Sequence, residues 1–325
     1  MGNKSSGTAG RERPLWVKKH LEGGALRRHA TGFLANTVIY LILISIVFLI
    51  LYPLISQVSD MFKSRADLLD KSVVFIPKEP SLYVTQLAIN GLDYVKSFLN
   101  TLKLSLTVAI LQTLSCTVIG YGFARFKFPL RNLLFALVIL TLLVPVQIVM
   151  PSFYVYFRNF DVFGIFQAVL GHPLNTIDHQ FPFILLSVFG LGIKNGLYIF
   201  MLRQFFRGMP KELDEAGRID GAGFLRIFGR IMLPNAVPIM ITIFLFSFSW
   251  QWTDSFYSSI FFSDYQVLAQ TLSSLTSYQS SYLDPVVRNA MMSAGIILCI
   301  APLLLMYLFL QKFFIQGITR SGITG

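Results

Sequence analysis

Glu212, Asp214, Glu215 and Asp220 place four carboxylates within nine residues, and Gly221-Ala222-Gly223 follows at once. The chemistry this pattern suits is recognition. It is a short, polar, glycine-punctuated surface that something outside a membrane could grip. Pro210 fits the first turn of a helix, where its missing N–H has no partner to lose. The acids after it gather at the positive end of the helix dipole. The glycines permit a sharp turn. Phe224, Ile227, Phe228 and Ile231 then fall at i, i+3, i+4 and i+7, one apolar stripe of a second helix, with Arg226 and Arg230 off the stripe. Pro234 biases Leu233 toward an extended backbone. The segment predicts helix, glycine turn, amphipathic helix, then a membrane span.

Catalytic patterns are missing. No Gly-x-x-x-x-Gly-Lys-Ser/Thr phosphate loop occurs, so any dependence on ATP must come from a partner, and the chain itself needs no cofactor. There is no His-Glu-x-x-His, Cys-x-x-Cys or Gly-x-Ser-x-Gly. His20, His29, His172 and His179 fall in expected loops or the N-terminal arm and read as exposed histidines, not metal ligands. Cys116 and Cys299 lie inside apolar segments and read as small buried hydrophobes.

Polar residues inside apolar segments are costly in lipid and often functional. Lys194-Asn195-Gly196 interrupts one such segment. Lys194 either snorkels or faces a neighbouring helix, or it lies with Asn195 on a water-filled substrate pathway. Gln112 and Gln147 are further pathway candidates, although interhelical hydrogen bonds explain either. Pro145 and Pro151 bracket Gln147 and predict a kinked span. Trp250 to Asp254 ends another segment. Its tryptophans suit an interfacial belt, while Trp252 and Asp254 also stand as pathway candidates.

The elements that must position these groups are membrane spans. Of 325 residues, 54% are hydrophobic and only 13% charged, with mean hydropathy +0.63. A soluble domain would carry about twice that charge. Six segments exceed the length a bilayer requires, at roughly 34–56, 98–123, 132–156, 183–205, 235–257 and 291–312. The first is too long for a cleavable signal peptide. Placing the N-terminus inside puts 18 of the 27 Lys and Arg inside, so the positive-inside rule predicts cytoplasmic termini. The net charge of +11 is then a topology signal and an attraction to anionic lipid, not a nucleic-acid footprint. The expected layout is a cytoplasmic arm 1–33, a six-helix transmembrane domain 34–312 holding the 210–233 loop, and a cytoplasmic tail 313–325. Long outer loops are expected at about 57–97 and 157–182.

The pattern Glu-Ala-Ala, three residues, Gly, nine residues, Ile-x-Leu-Pro marks the membrane subunits of bacterial ABC importers. Glu215, Ala216, Gly221, Ile231, Leu233 and Pro234 stand in that register, with Gly217 in place of the second Ala. Asp220-Gly221-Ala222 and Phe200-Met201-Leu202-Arg203-Gln204-Phe205-Phe206 resemble the carbohydrate branch. The end, from Gln311 through Gln316-Gly317-Ile318-Thr319 to Gly322 and Gly325, is similar to the tail of the second maltose permease subunit. The 167–182 stretch is longer than the family usually carries.

The resemblance implies an all-α integral membrane protein with six transmembrane helices and the ABC type I importer permease fold. It implies a bacterial cytoplasmic-membrane complex that imports an oligosaccharide or polysaccharide fragment. A second homologous permease, two ATPase subunits holding ATP and magnesium, and an extracytoplasmic solute-binding protein would be its partners. Glu212, Glu215, Ala216, Gly217, Asp220, Gly221, Ala222, Ile231, Leu233 and Pro234 would form the ATPase-coupling surface. Gln316, Gly317, Thr319 and Gly322 would reach the ATPases from the tail. A permease for another solute, a docking scaffold and a self-sufficient ion-driven carrier are the alternatives.

Overall fold

The computed structural model describes residues 15–277 and 283–322, with side chains described for 36–275, 277 and 283–311. Fifteen α-helices occur among the described residues. They are α1 (Leu15–Asp60), α2 (Arg65–Leu69), α3 (Tyr83–Gly91), α4 (Tyr94–Arg125) and α5 (Arg131–Leu143). Next come α6 (Val146–Arg158), α7 (Ile165–Leu170), α8 (Phe181–Val188), α9 (Asn195–Gly208) and α10 (Glu212–Ile219). The chain continues as α11 (Phe224–Ile227), α12 (Leu233–Trp252), α13 (Phe256–Phe261), α14 (Leu268–Ser274) and α15 (Pro285–Gly322). A π-helical turn at Phe228–Met232 joins α11 to α12.

Residues up to Ser56 form one unit, and residues from Gln57 form the other. The described residues of the first unit lie in a single helix, in which 36–55 are exposed along the whole length. Residues 15–33 belong to the same helix, so the backbone marks no border between the expected arm and the first span.

Among the described residues, four helical stretches are long and apolar enough to cross a membrane: Asn36–Asp60, Tyr94–Arg125, Phe224–Trp252 and Pro285–Gln311. The other two apolar segments are broken. The third bends by 101° between α5 and α6, where Val144 is extended ahead of Pro145. The fourth is not one helix: α8 ends at Val188 and α9 begins at Asn195, with Gly190 and Lys194 in left-handed conformations between them. Two such residues in one short stretch stop a helical ladder.

The core of the second unit is built around α4. Thr101, Ser105, Val108, Gln112 and Cys116 recur at three- and four-residue spacing and are buried on one face. That side of α4 meets α9 and α12. A Cβ at Gly120 would stand 2.7 Å from the Leu202 Cβ, so only glycine lets α9 approach this closely.

The 57–97 stretch is ordered by α2, α3 and a buried lysine. Lys63 Nζ donates to Asp60 Oδ1 at 2.8 Å and to the Val74 carbonyl at 2.9 Å. The stretch expected as an insertion is pinned as well. Phe160 and Leu174 pair as an isolated bridge, Thr176 Oγ1 donates to the Phe157 carbonyl at 2.7 Å, and the Asp178 carboxylate accepts the Asp264 N–H at 2.9 Å. It is a clip rather than a free loop.

At the other end, α15 continues through Gly317 to Gly322, although glycine is a poor helix former. The apolar run ahead of it has already nucleated the helix, and one glycine then costs only about 1 kcal/mol. The side chains at Gln316, Gly317, Thr319 and Gly322 lie outside the described residues, as does the backbone beyond Gly322.

Candidate functional site

The acidic segment folds as its residues predict, with two corrections. Pro210 sits just ahead of the α10 N-cap, Lys211, and not within the first turn. Leu233 is α-helical, with φ −64° and ψ −45°, not extended. The π turn explains this. Leu233 donates to the Phe228 carbonyl five residues back, so the ladder has already widened where Pro234 cannot donate.

Helix α10 ends in a glycine cap. Gly221 has φ +72°; its N–H reaches the Arg218 carbonyl, and the Ala222 N–H reaches the Gly217 carbonyl at 2.9 Å. This is the double hydrogen-bond arrangement that closes a helix on a left-handed residue. Gly217 is buried where α10 meets α11. A Cβ there would lie 2.9 Å from Ile227 Cγ1, so the glycine found where the related pattern has alanine fits the neighbouring isoleucine.

Three further contacts hold the segment to the bundle. Arg125, the last residue of α4, pairs with Asp214 at 3.1 Å and donates to the Met209 carbonyl at 2.9 Å. Tyr121 of α4 packs its ring on Phe206, Phe224 and Phe228 at 4.8–5.9 Å. Ile227, Met232 and Ala236 join Leu202 and Phe206 in the buried core. Glu212, Glu215, Ala216, Asp220 and Gly221 remain exposed, with Ala222, Ile231 and Leu233 half-buried and Pro234 exposed. Ile219 and Leu225 protrude at 85% and 76% exposure. The result is a firmly held surface with charged flanks and two uncovered apolar tips.

A second feature lies along the same helices. A cavity of roughly 870 Å³ opens between the α5–α6 bend, the α8–α9 break and the end of α12. Gln112, Gln147, Lys194, Asn195 and Asp254 line it, so five of the six pathway candidates come together. Trp252 does not. It is buried against Phe98 and Phe248, and its Nε1–H donates to the Cys299 carbonyl at 2.9 Å. The helical repeat turns it away while bringing Trp250 to the wall, where Lys194 Nζ stands 4.9 Å from the Trp250 ring centroid.

The lining residues differ in how far they are already engaged. Gln112 is buried and bonded between helices: its Nε2 donates to the Ile193 carbonyl at 3.3 Å, and its Oε1 accepts from the Ser247 hydroxyl. The Asp254 carboxylate accepts the N–H groups of Tyr257 and Ser258, anchoring the first turn of α13. Lys194 and Gln147 are exposed.

Gln251 was not singled out by sequence reasoning. It is 2% exposed, lines the cavity, and has neither an acceptor for its amide nitrogen nor a donor for its amide oxygen. Its place one turn after Ser247, between two tryptophans, is the signal that was there to find. Among the described residues no group of three metal-binding side chains occurs.

A family model described as binding-protein-dependent transport system inner membrane component matches residues 117–320. The maltodextrin transport system permease protein MdxG of Bacillus subtilis is 30% identical over 295 residues, covering 89% of this chain and 95% of that one. The sn-glycerol-3-phosphate transport system permease protein UgpE of Yersinia enterocolitica is 30% identical over 234 residues, covering 71% and 73%. In fold, the chain is similar to a bacterial ABC transporter involved in the import of the acidic polysaccharide alginate. The TM-score is 0.68 at 18% identity, covering 87% of this chain and 98% of that one.

Proposed function

The chain belongs to the family of inner membrane components of binding-protein-dependent transport systems, and from that premise we propose that it is the permease subunit of an ATP-driven carbohydrate importer. It is a multi-pass membrane protein. In this reading its termini are cytoplasmic, and α10 with its glycine turn and α11 docks in a cleft of an ATPase subunit. A second, homologous permease completes the pathway, and an extracytoplasmic binding protein delivers an oligosaccharide or polysaccharide fragment.

The observation that carries the mechanism is shared helices. Helices α4, α9 and α12 hold the docking segment at one end and wall the cavity higher up. Arg125 and Gln112 are 13 residues apart on α4, about 20 Å along the axis. Asn195 opens α9, which closes on Met209. Ala236 and Gln251 are separated by a similar length of α12. Pushing on α10 therefore moves three cavity walls through stiff elements. Closing of the ATPase pair would tilt them to open the cavity outward, and hydrolysis would return them, which is alternating access by rigid-body motion. The chain itself carries out no covalent step.

The maltodextrin permease among its relatives favours a sugar. The cavity agrees in chemistry: amides at Gln147 and Gln251 suit hydroxyl groups, and Trp250 offers an aromatic face. An anionic solute is the second reading, favoured by Lys194 in the wall and by the glycerol-phosphate permease.

The test is co-expression with the cognate ATPase, second permease and binding protein. Glu215→Lys reverses charge at the exposed docking face, so the variant is expected in the membrane at wild-type level, with ATPase co-purification and uptake both lost. Wild-type uptake by that variant would overturn the coupling assignment. Ligand screening of the binding protein separates a neutral sugar from an anionic solute.

A further inference from the structure

At the end of the bundle that carries α10, helices α4, α5 and α9 contribute Arg125, Arg131, Arg203 and Arg207, and among the described residues only Arg125 of these four has a carboxylate. Arg125 is paired with Asp214. Arg131, Arg203 and Arg207 make no ion pair among the described residues. They are neighbours: the Arg203 guanidinium lies over the ring of Phe135, which is one turn after Arg131 on α5. Arg203 and Arg207 are one turn apart on α9, and Arg131 opens α5 beside it. The two helices run closely side by side. A Cβ at Gly196 would stand 2.8 Å from the Val138 carbonyl, and farther along, Phe135 and Phe200 stack at 6.4 Å.

Like charges do not cluster at no cost, and one of these is held in place. The Arg203 guanidinium lies over the Phe135 ring at 3.9 Å, which sets its plane. Its Nε is buried with no acceptor. Arg131 uses one Nη1 bond on the Phe126 carbonyl, at 3.1 Å. Among the described residues, no carboxylate pairs with the remaining guanidinium donors. Just beyond the cluster, Leu133, Leu134 and Leu137 of α5 are 43–55% exposed, an apolar strip starting at the charged end.

We propose that Arg131, Arg203 and Arg207 cradle the phosphate of an anionic phospholipid whose acyl chains lie along the exposed leucines of α5. Guanidinium forks match phosphate oxygens in charge and geometry. A basic pocket between spans, with apolar surface continuing into the bilayer, is the amphipathic shape that such a headgroup and its tails fill. None of the three arginines lines the cavity, which the strip reaches only at Leu137, and the site does not depend on which solute is carried.

The full chain, purified in detergent and stripped of lipid, is offered vesicles of phosphatidylglycerol or phosphatidylcholine, and separately inorganic phosphate. Retained lipid is measured together with thermal stability. Phosphatidylglycerol is expected to bind preferentially and raise the midpoint. Arg207→Gln, an exposed position that leaves packing intact, is expected to weaken retention roughly fivefold, and Arg203→Gln with Arg207→Gln on the order of 25-fold. Arg226→Gln with Arg230→Gln removes the same charge elsewhere and is expected to leave retention unchanged. Equal losses from both pairs would overturn the site in favour of net charge alone. A stability gain from inorganic phosphate equal to that from the lipid would overturn the lipid assignment. Unchanged retention in Arg207→Gln would overturn that residue's part in the cradle.

Discussion

Arg125 and Asp214 meet at 3.1 Å where the end of α4 crosses the first turn of α10, and both side chains are largely shielded, at 10% and 15% exposure. The same guanidinium also holds the Met209 carbonyl, so one residue fixes both sides of the α9–α10 corner. Removing either partner leaves the other charge poorly solvated. Asp214→Asn and Arg125→Gln are each expected to cost about 1–3 kcal/mol. A double-mutant cycle on thermal unfolding should return a coupling of about 1 kcal/mol or more. With α10 as the coupling element, transport complexes assembled with either variant are expected to show less uptake for each ATP that the ATPase subunits hydrolyse. A cycle that sums to zero would show that the pair does not hold the corner.

Gly217 has a different role, because its limit is a neighbour. Alanine there brings a methyl group to 2.9 Å from Ile227 Cγ1, too close without movement of α10 or α11. Overpacking of this kind costs about 1–3 kcal/mol. Gly217→Ala is expected to lower the unfolding midpoint, and Ile227→Ala to lower it as well by emptying a core position. The two together should cost less than their sum, since each relieves the other. Strict additivity would place the strain elsewhere.

Gly221 is limited by its backbone instead. At φ +72° it sits in the left-handed region, yet a Cβ there would meet nothing within 4 Å. Strain, not collision within this chain, is therefore the penalty. Gly221→Asn is expected to lose about 1 kcal/mol or less and Gly221→Val about 2 kcal/mol, since asparagine visits that region far more readily than a β-branched residue. Thermal unfolding orders the two. Uptake lost in Gly221→Asn despite near-normal stability would mark this face as one that a partner covers.

Much of this arrangement was legible in the residues. The acids, the glycine turn and the 224–231 stripe foretold α10, the cap and α11, because local hydrogen bonding and amphipathic spacing decide all three. The broken spans were only half legible. Pro145 announced the bend after α5, whereas the break before α9 depends on left-handed residues at Gly190 and at Lys194, the latter a type that gives no warning. Trp252 was named as a pathway candidate and Gln251 passed over for one reason: side chains one position apart on a helix differ by about 100° in direction. Only the packing of α12 against α4 and α15 decides which faces the cavity. The Arg125–Asp214 pair joins positions far apart in sequence and carries no local signature at all.

Gln251 is the sharpest test of the cavity. Its amide nitrogen and oxygen are both buried without partners, and each such group costs about 1–3 kcal/mol in the folded protein. Gln251→Leu keeps most of the volume and removes both groups. The expected outcome is a chain that is more stable by about 1 kcal/mol or more, with uptake reduced because the amide no longer meets solute hydroxyls when the walls part. Gln251→Asn retains the chemistry on a shorter stem and is expected to recover part of the uptake with little of the added stability. Thermal unfolding and uptake are measured on the same preparations, because a pathway amide requires the two to move in opposite directions. A Gln251→Leu chain that loses stability and keeps wild-type uptake would show that the amide supports the fold, and would remove it from the pathway.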